Sequence, residues 1–354
     1  MIEKRAGIKE IAELAGVSTA TVSRVLNGNI KVNPELSKKV MAVAESLGYQ
    51  PSPAARYMRS KKSGLLGIVV PNLSLPYFSD IVNGAIDKAR EYDQLMVVGT
   101  VDNNTSTEKK YLKKLSGNML DGLIHCPVSA APLQDEPDIL NIPIVIAGRR
   151  KVIEGVPHIS TDEENAGYLA ARYLLNLGRR KIGYLAGFWE YPPFRNSHEL
   201  ISAVDSQLSG SYSSLDRLRG YRRALGELDL ELDANKMVFC GFDTDSGYYA
   251  SRELISRLEE IDALMVPNCL VARGVFRFLH EQEIAVPRDI SIVTMDDMGM
   301  GELLAVPITA IVHDMYHVGV EAVIQLNRII EEKAARDETI GVDLRIRQST
   351  SRKI

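Results

Sequence analysis

Residues 8–27 read IKEIAELAGVSTATVSRVLN and predict two short helices joined by a tight turn. Apolar residues recur at helical spacing in both halves, so each helix buries one face. They are Ile8, Ile11, Ala12, Leu14 and Ala15 in the first half and Val22, Val25 and Leu26 in the second. Gly16 can adopt the left-handed backbone that the turn requires, and Ser18 suits the N-cap of the second helix. The pattern indicates a helix-turn-helix, with an ordinary helical hairpin in a larger core as the alternative.

The outward side chains of the second helix are small and polar around one arginine. They are Thr19, Ala20, Thr21, Ser23 and Arg24. A helix-turn-helix lays its second helix in the major groove of DNA, where arginine makes bidentate contacts to guanine. The stretch therefore predicts a DNA-recognition helix.

The same stretch resembles the N-terminal headpiece of the LacI/GalR family of bacterial transcription regulators, which reads much like VAxxAGVSxxTVSRVLN. The resemblance implies a homodimer that binds a pseudo-palindromic double-stranded operator. It also implies a set of DNA-contacting residues, namely Lys9, Ser18, Thr19, Ala20, Thr21, Ser23, Arg24, Asn27, Asn33, Ala55, Met58 and Arg59. Residues 51–62 resemble the family's hinge helix, with Met58 where an apolar wedge, usually leucine, enters the minor groove. A plain interdomain linker is the alternative for this segment.

Charge divides the chain of 354 residues into two parts. Residues 1–62 hold eleven Lys or Arg against five Asp or Glu, a net charge of +6, and the total of −4 leaves −10 for the rest. A basic module on an acidic body is expected when the first part binds the phosphates of DNA.

No apolar run reaches membrane-spanning length and the N-terminus has no apolar signal core, so we expect a cytoplasmic protein. Its three cysteines are expected to be reduced thiols.

From residue 64 onward, apolar strands alternate with amphipathic helices, which predicts an α/β body. Eight predicted strands cover residues 65–71, 94–100, 122–127, 142–148, 181–187, 237–242, 263–268 and 290–296. Continuous Val/Ile runs indicate parallel strands buried on both faces. Two groups of strands fit two doubly wound subdomains, so the predicted fold class is α/β, with an all-α headpiece.

Ligands of such sheets bind beyond the carboxyl ends of the strands. Aromatic, amide and charged residues follow several predicted strands, and these types hold sugars by stacking and hydrogen bonding. The candidate effector-binding residues are Asn72, Tyr77, Phe78, Asp162, Arg217, Phe242, Asn268 and Asp296. Each alone could be structural, since an Asp after a strand is often a helix N-cap.

The body resembles the effector domain of the same family, a relative of periplasmic sugar-binding proteins. That resemblance implies that Arg217 and Asp296 are the main effector contacts, that Phe242 is the pocket aromatic and that Asn268 is the pocket amide. Residues 188–214 form an insertion relative to the family. We predict that it covers the cleft and adds Trp189 or Tyr191 to the pocket, while a surface excursion is the alternative.

The predicted domains are a helix-turn-helix at 1–50, a hinge at 51–62, an N-terminal subdomain at 63–162 and 313–343, and a C-terminal subdomain at 163–312 and 344–354. No catalytic or phosphate-loop motif is present, and no cofactor or metal is expected, although His313 and His317 lie four residues apart.

The sequence predicts a repressor of a carbohydrate-utilisation operon. A sugar-type effector is expected to release this repressor from its operator. A corepressor- or partner-protein-dependent regulator is the alternative, as is, from another class, a sugar-binding or sugar-modifying protein.

Overall fold

A computed structural model describes residues 7–26, 33–49, 62–116, 120–128, 142–149, 153, 155–189, 194–206, 212–255 and 261–353. The chain forms two compact units, residues 1–63 and residues 64–354. We refer to these units as the head and the body.

The described part of the head has three helices, namely α1 (Ile8–Ala15), α2 (Thr19–Leu26) and α3 (Pro34–Ser46). Gly16 ends α1 in the left-handed conformation, with φ of 69°. The hydroxyl of Ser18 accepts a hydrogen bond from the backbone N–H of Thr21 at 3.1 Å and so caps α2. The predicted helix pair and its turn are therefore confirmed.

One small apolar core holds the three helices of the head together. Its buried members are Ile11, Ala12, Ala15, Val22, Val25, Val40 and Ala44. The expectation that Leu14 belongs to this core is wrong, because its side chain is 59% exposed. With 3.6 residues per turn, Leu14 lies more than a quarter turn from the centre of the face that Ile11, Ala12 and Ala15 bury.

The body contains twelve strands and eight α-helices among the residues that the structure describes. The strands are β1 (Leu65–Val70), β2 (Leu95–Thr100), β3 (Gly122–His125), β4 (Ile144–Ala147), β5 (His158–Thr161), β6 (Ile182–Gly187), β7 (Met237–Cys240), β8 (Ala263–Val266), β9 (Ser291–Thr294), β10 (Thr309–His313), β11 (Glu338–Ile340) and β12 (Val342–Arg345). The helices are α4 (Pro76–Glu91), α5 (Thr105–Ser116), α6 (Glu163–Asn176), α7 (Ser197–Ser202), α8 (Ser213–Gly226), α9 (Thr244–Ile255), α10 (Cys269–Glu281) and α11 (Met315–Ile330).

The strands form two six-stranded sheets, in the orders β11-β5-β4-β3-β1-β2 and β12-β10-β9-β8-β6-β7. Every strand pair is parallel except β10 with β12. We call the first sheet with α4, α5 and α11 the N-lobe, and the second sheet with α6–α10 the C-lobe. The chain passes between the lobes after β5, after β10 and between β11 and β12. The predicted class, two doubly wound parallel sheets behind a helical head, is confirmed.

Strand β2 differs from the prediction of a strand buried on both faces. It lies at the edge of its sheet, and Leu95, Val97 and Val98 are 70%, 41% and 37% exposed. A Val/Ile run identifies a strand, but it does not reveal whether that strand has a neighbouring strand on both sides or lies at the edge of the sheet. The N-lobe therefore presents an apolar strand edge.

Candidate functional site

A cavity lies between the two lobes, at the carboxyl ends of several strands. Its lining comes from both lobes and consists of Leu75, Tyr77, Phe78, Cys126, Pro127, Ala147, Gly148, Arg149, Ser160, Thr161, Glu163, Trp189, Ser213, Asp216, Arg217, Phe242, Pro267, Asn268, Asp296 and Met298. This is the position at which doubly wound sheets bind ligands.

Six of the eight candidate effector residues line this cavity, namely Tyr77, Phe78, Arg217, Phe242, Asn268 and Asp296. Asn72 and Asp162 are not among its lining residues. The Asp162 carboxylate caps α6 by accepting a hydrogen bond from the backbone N–H of Asn165 at 3.0 Å. The Asn72 side chain accepts one from the backbone N–H of Ser74 at 2.8 Å. Both therefore have local structural partners, and their contact with an effector remains a prediction.

Arg217 forms a buried ion pair with Glu163, a residue that the sequence analysis did not single out. The Nε of Arg217 lies 2.6 Å from Oε2 of Glu163, and the side chains are 5% and 11% exposed. The other carboxylate oxygen accepts a hydrogen bond from the hydroxyl of Thr161 at 2.9 Å. Burial alone would raise the pKa of Glu163, but the Arg217 guanidinium and the neighbouring His313 ring hold it well below its usual range. Because Glu163 occupies Nε, the hydrogen-bonding capacity that Arg217 has beyond this pair is that of its two terminal nitrogens.

Asp296 is the second buried carboxylate at the cavity. Its Oδ1 accepts a hydrogen bond from the backbone N–H of Met298 at 3.1 Å. Burial raises the pKa of Asp296, although neighbouring His313 opposes that shift. The His313 ring lies between the two carboxylates, with Nδ1 4.0 Å from Asp296 and Nε2 3.5 Å from Glu163. The lining of the cavity thus includes acceptors from Asp296 and donors from Arg217.

Ser160 adds a further polar group to the lining. Its hydroxyl is buried and has no hydrogen-bond partner within the described ranges. Buried hydroxyls are normally paired, so this one is suited to bond a polar ligand or an ordered water.

A row of aromatic rings runs along the cavity from one lobe to the other. Ring centroids lie 5.0 Å apart for Tyr77 and Phe78, 6.1 Å for Phe78 and Trp189, and 4.3 Å for Trp189 and Phe242. Trp189, one of the two residues that the insertion was predicted to add to the pocket, lines this cavity. That the insertion covers the cleft stays a prediction. Tyr191, the other residue named in that prediction, lies outside the described residues.

Asn268 lines the cavity while both ends of its amide make structural contacts. The side-chain oxygen caps α10 by accepting a hydrogen bond from the backbone N–H of Val271 at 2.8 Å. The side-chain nitrogen donates to the carbonyl of Phe242 at 3.2 Å. Asn268 therefore holds the loop that carries the Phe242 ring.

Two glycines allow α6 and α8 to approach closely enough to position Arg217. A Cβ added at Gly167 would lie 1.9 Å from the carbonyl oxygen of Arg217, and one added at Gly220 would lie 1.8 Å from the carbonyl oxygen of Glu164. Real Cβ atoms cannot approach oxygen so closely. The site therefore depends on glycine at both positions.

The predicted DNA-contacting residues of α2 lie on its outer side. Thr19, Ala20 and Arg24 are exposed, whereas Thr21 and Ser23 are half-buried. Lys9, Ser18 and Asn33 are also exposed, and the Asn33 side chain caps α3 at a distance of 2.9 Å from the backbone nitrogen of Glu35. Asn27, Ala55, Met58 and Arg59 lie outside the described residues, as does the predicted hinge helix apart from Lys62.

Within the described ranges, no group of three or more metal-ligating side chains comes together. His313 ends β10, whereas His317 lies on α11. Among the helices that the structure describes, none is both long and apolar enough to cross a membrane. The polar and aromatic lining of the cavity suits a small polar ligand.

Comparison with known proteins finds one family match in the head and another in the body. Residues 7–52 match the family described as "Bacterial regulatory proteins, lacI family", and residues 171–350 match the "Periplasmic binding protein-like domain". The chain belongs to the LacI family. This LacI-family chain is 29% identical over 326 residues to the ribose operon repressor of Halalkalibacterium halodurans, a match that covers 92% of the chain and 91% of that relative.

Two solved structures extend the similarity of this LacI-family chain to three dimensions. The lac repressor dimer bound to operator and the anti-inducer ONPF superposes with a TM-score of 0.81 at 25% identity. The complex of the transcriptional regulator CelR with cellobiose superposes with a TM-score of 0.69, also at 25% identity. Each match covers 98% of this chain and 100% of the other. The chain is thus a DNA-binding transcription regulator with a head and an effector-binding body.

Proposed function

We propose that this regulator represses a carbohydrate-utilisation operon and releases its operator when a sugar binds between the two lobes. The observation that carries this proposal is the cavity between the lobes, whose lining combines Arg217 and Asp296 with aromatic rings. Paired donors and acceptors beside aromatic rings suit the adjacent hydroxyls and C–H faces of a sugar. The relatives named for ribose and cellobiose support the same ligand class.

Three chain crossings join the two lobes that line the cavity. A ligand that contacts both lobes stabilises one angle between them, and the first strand of the N-lobe follows directly from residues 51–62. We infer that this angle governs whether the two hinges of a homodimer can order on DNA. The regulator would act in the cytoplasm, where its operator lies.

A second copy of this chain is the expected protein partner. The exposed apolar edge at Leu95, Val97 and Val98 is the type of surface that subunits cover. A symmetric dimer presents two heads to the two half-sites of a pseudo-palindrome. The dimeric lac repressor structure supports this assembly.

A thermal-shift screen of the purified chain against sugars and their phosphates tests the ligand class. A ligand that binds only the native state raises the melting temperature, and the rise increases with ligand concentration. We expect at least one sugar to raise it with a dose response. If no sugar or sugar phosphate changes the melting temperature, the proposed ligand class is wrong.

Arg24→Ala is expected to weaken specific operator binding by about 1–3 kcal/mol per lost base contact, because Arg24 is exposed on the recognition helix. Binding to unrelated DNA should weaken much less. Arg90→Ala, which removes an exposed arginine of the body, is the matched control and should leave both affinities unchanged. Fluorescence anisotropy with operator and scrambled duplexes measures the two affinities. Equal losses on both duplexes would show that Arg24 contacts phosphates and does not read bases.

A further inference from the structure

Trp189 is the single tryptophan of the chain and makes contacts on both sides of the cavity. It lies two residues after β6 of the C-lobe, and its ring stacks on Phe242 of the same lobe. It also packs against the N-lobe core, where its nearest aromatic neighbour is Phe78 on α4. The indole therefore stands between one ring from each lobe.

The Phe242 ring is covered on two sides. The Trp189 ring lies over it at 4.3 Å with an interplanar angle of 30°. A Cβ added at Gly187 would lie 2.7 Å from Cε1 of Phe242, so the β6 backbone covers a second side of the Phe242 ring. A ligand cannot insert between two rings that are already in contact, because stacked rings leave no gap for a third. The aromatic surface open to the ligand therefore includes Trp189.

The indole also occupies space that would otherwise extend the cavity. Its centroid lies 4.3 Å from that of Phe242 and 6.1 Å from that of Phe78, and all three residues line the cavity. Without the indole, the space between Phe78 and Phe242 would join the cavity. An indole and a sugar ring are of similar size, so the added space would suit about one more ring.

We propose that Trp189 restricts the effector to a single sugar ring and provides the surface on which that ring stacks. This inference rests on the proposed sugar effector and specifies its size. The related CelR structure holds cellobiose, a two-ring sugar, so ligand length differs between regulators of this fold. Trp189 would then be a specificity-determining residue supplied by the segment after β6.

The test compares the wild-type protein with Trp189→Ala and Trp189→Phe, using calorimetry against ribose, glucose and galactose and against cellobiose, maltose and lactose. Wild-type protein should bind one single-ring sugar at least about tenfold more tightly than any two-ring sugar. Trp189→Ala should bind that sugar about three- to tenfold more weakly, because a stacking contact is lost. It should also bind a two-ring sugar more tightly than the wild type does. Trp189→Phe, which retains a smaller ring, should fall between them.

Tyr249→Ala is the matched control, because it removes an exposed aromatic ring outside the cavity lining and should not alter any affinity. If Trp189→Ala does not fold, the milder Trp189→Phe variant still decides the direction of the change. An unchanged ratio of single-ring to two-ring affinity overturns the size restriction alone. Wild-type protein that binds none of the six sugars overturns the sugar effector and the size restriction together.

Discussion

Replacing Arg217 with alanine is expected to abolish the response to the effector and to destabilise the body. The substitution removes both the cavity donor and the partner of Glu163, whose carboxylate is buried. Breaking a buried ion pair from one side costs about 3–5 kcal/mol, because the remaining charge is left uncompensated. Urea denaturation followed by Trp189 fluorescence measures the loss in free energy of unfolding. Operator titrations with and without effector measure the response.

A double variant separates these two effects of Arg217. Arg217→Gln combined with Glu163→Gln removes both charges of the ion pair, so neither partner is left charged without the other and part of the lost stability should return. The response to the effector should stay absent, because the guanidinium that would contact the ligand is still missing. Operator affinity without effector should remain near the wild-type value. A normal response in either variant would show that Arg217 does not bind the effector.

Gly167→Val is expected to lower the free energy of unfolding by about 3 kcal/mol or more, at the upper end of the usual cost of overpacking. The new side chain has no space, because even its Cβ would lie 1.9 Å from the Arg217 carbonyl. Since α6 and α8 must separate to admit it, Arg217 should also move away from Glu163. We therefore expect weaker effector binding, measured by calorimetry under conditions where the variant is folded.

Gly226→Ala provides the control for that substitution. Gly226 is the last residue of α8, and a Cβ added there would meet no atom within 4 Å. Alanine is also the better helix former by up to about 1 kcal/mol. Stability should therefore stay level or rise. If Gly167→Val proves as stable as Gly226→Ala, the close approach of α6 and α8 does not position the site.

Local chemistry explains why much of the fold could be predicted from the sequence. The turn at Gly16 and the caps at Ser18 and Asn33 each follow from one residue type in one position. The eight predicted strands were apolar runs between turn residues, and all eight are present. Strands β5, β10, β11 and β12 are not among these eight. Strand β5 is hard to recognise because it has only four residues, HIST, and is largely polar. Its burial comes from neighbours that are distant in sequence.

The main gap in the predicted site is Glu163, which lies two residues after β5. Asp162 is a candidate because it lies in the connection that follows the fourth predicted strand, but an Asp after a strand can cap a helix as readily as it can bind a ligand. Its neighbour Glu163 reaches Arg217, which lies 54 residues further along the chain. No sequence pattern predicts that pairing. By contrast, Arg217, Phe242 and Asp296 were identified by resemblance to the LacI family, and they do line one cavity.

The most direct test of a sugar-controlled DNA-binding protein is an operator titration with the full-length chain. Fluorescence anisotropy would measure its affinity for labelled genomic fragments, with and without each sugar, while Trp189 emission reports occupancy of the cavity. We predict specific binding to one fragment, changed at least about tenfold by a sugar that also alters Trp189 emission, since the coupling between the two ligands is reciprocal. Failure to bind any fragment at low ionic strength would contradict this function. So would a sugar that fills the cavity and leaves operator affinity unchanged.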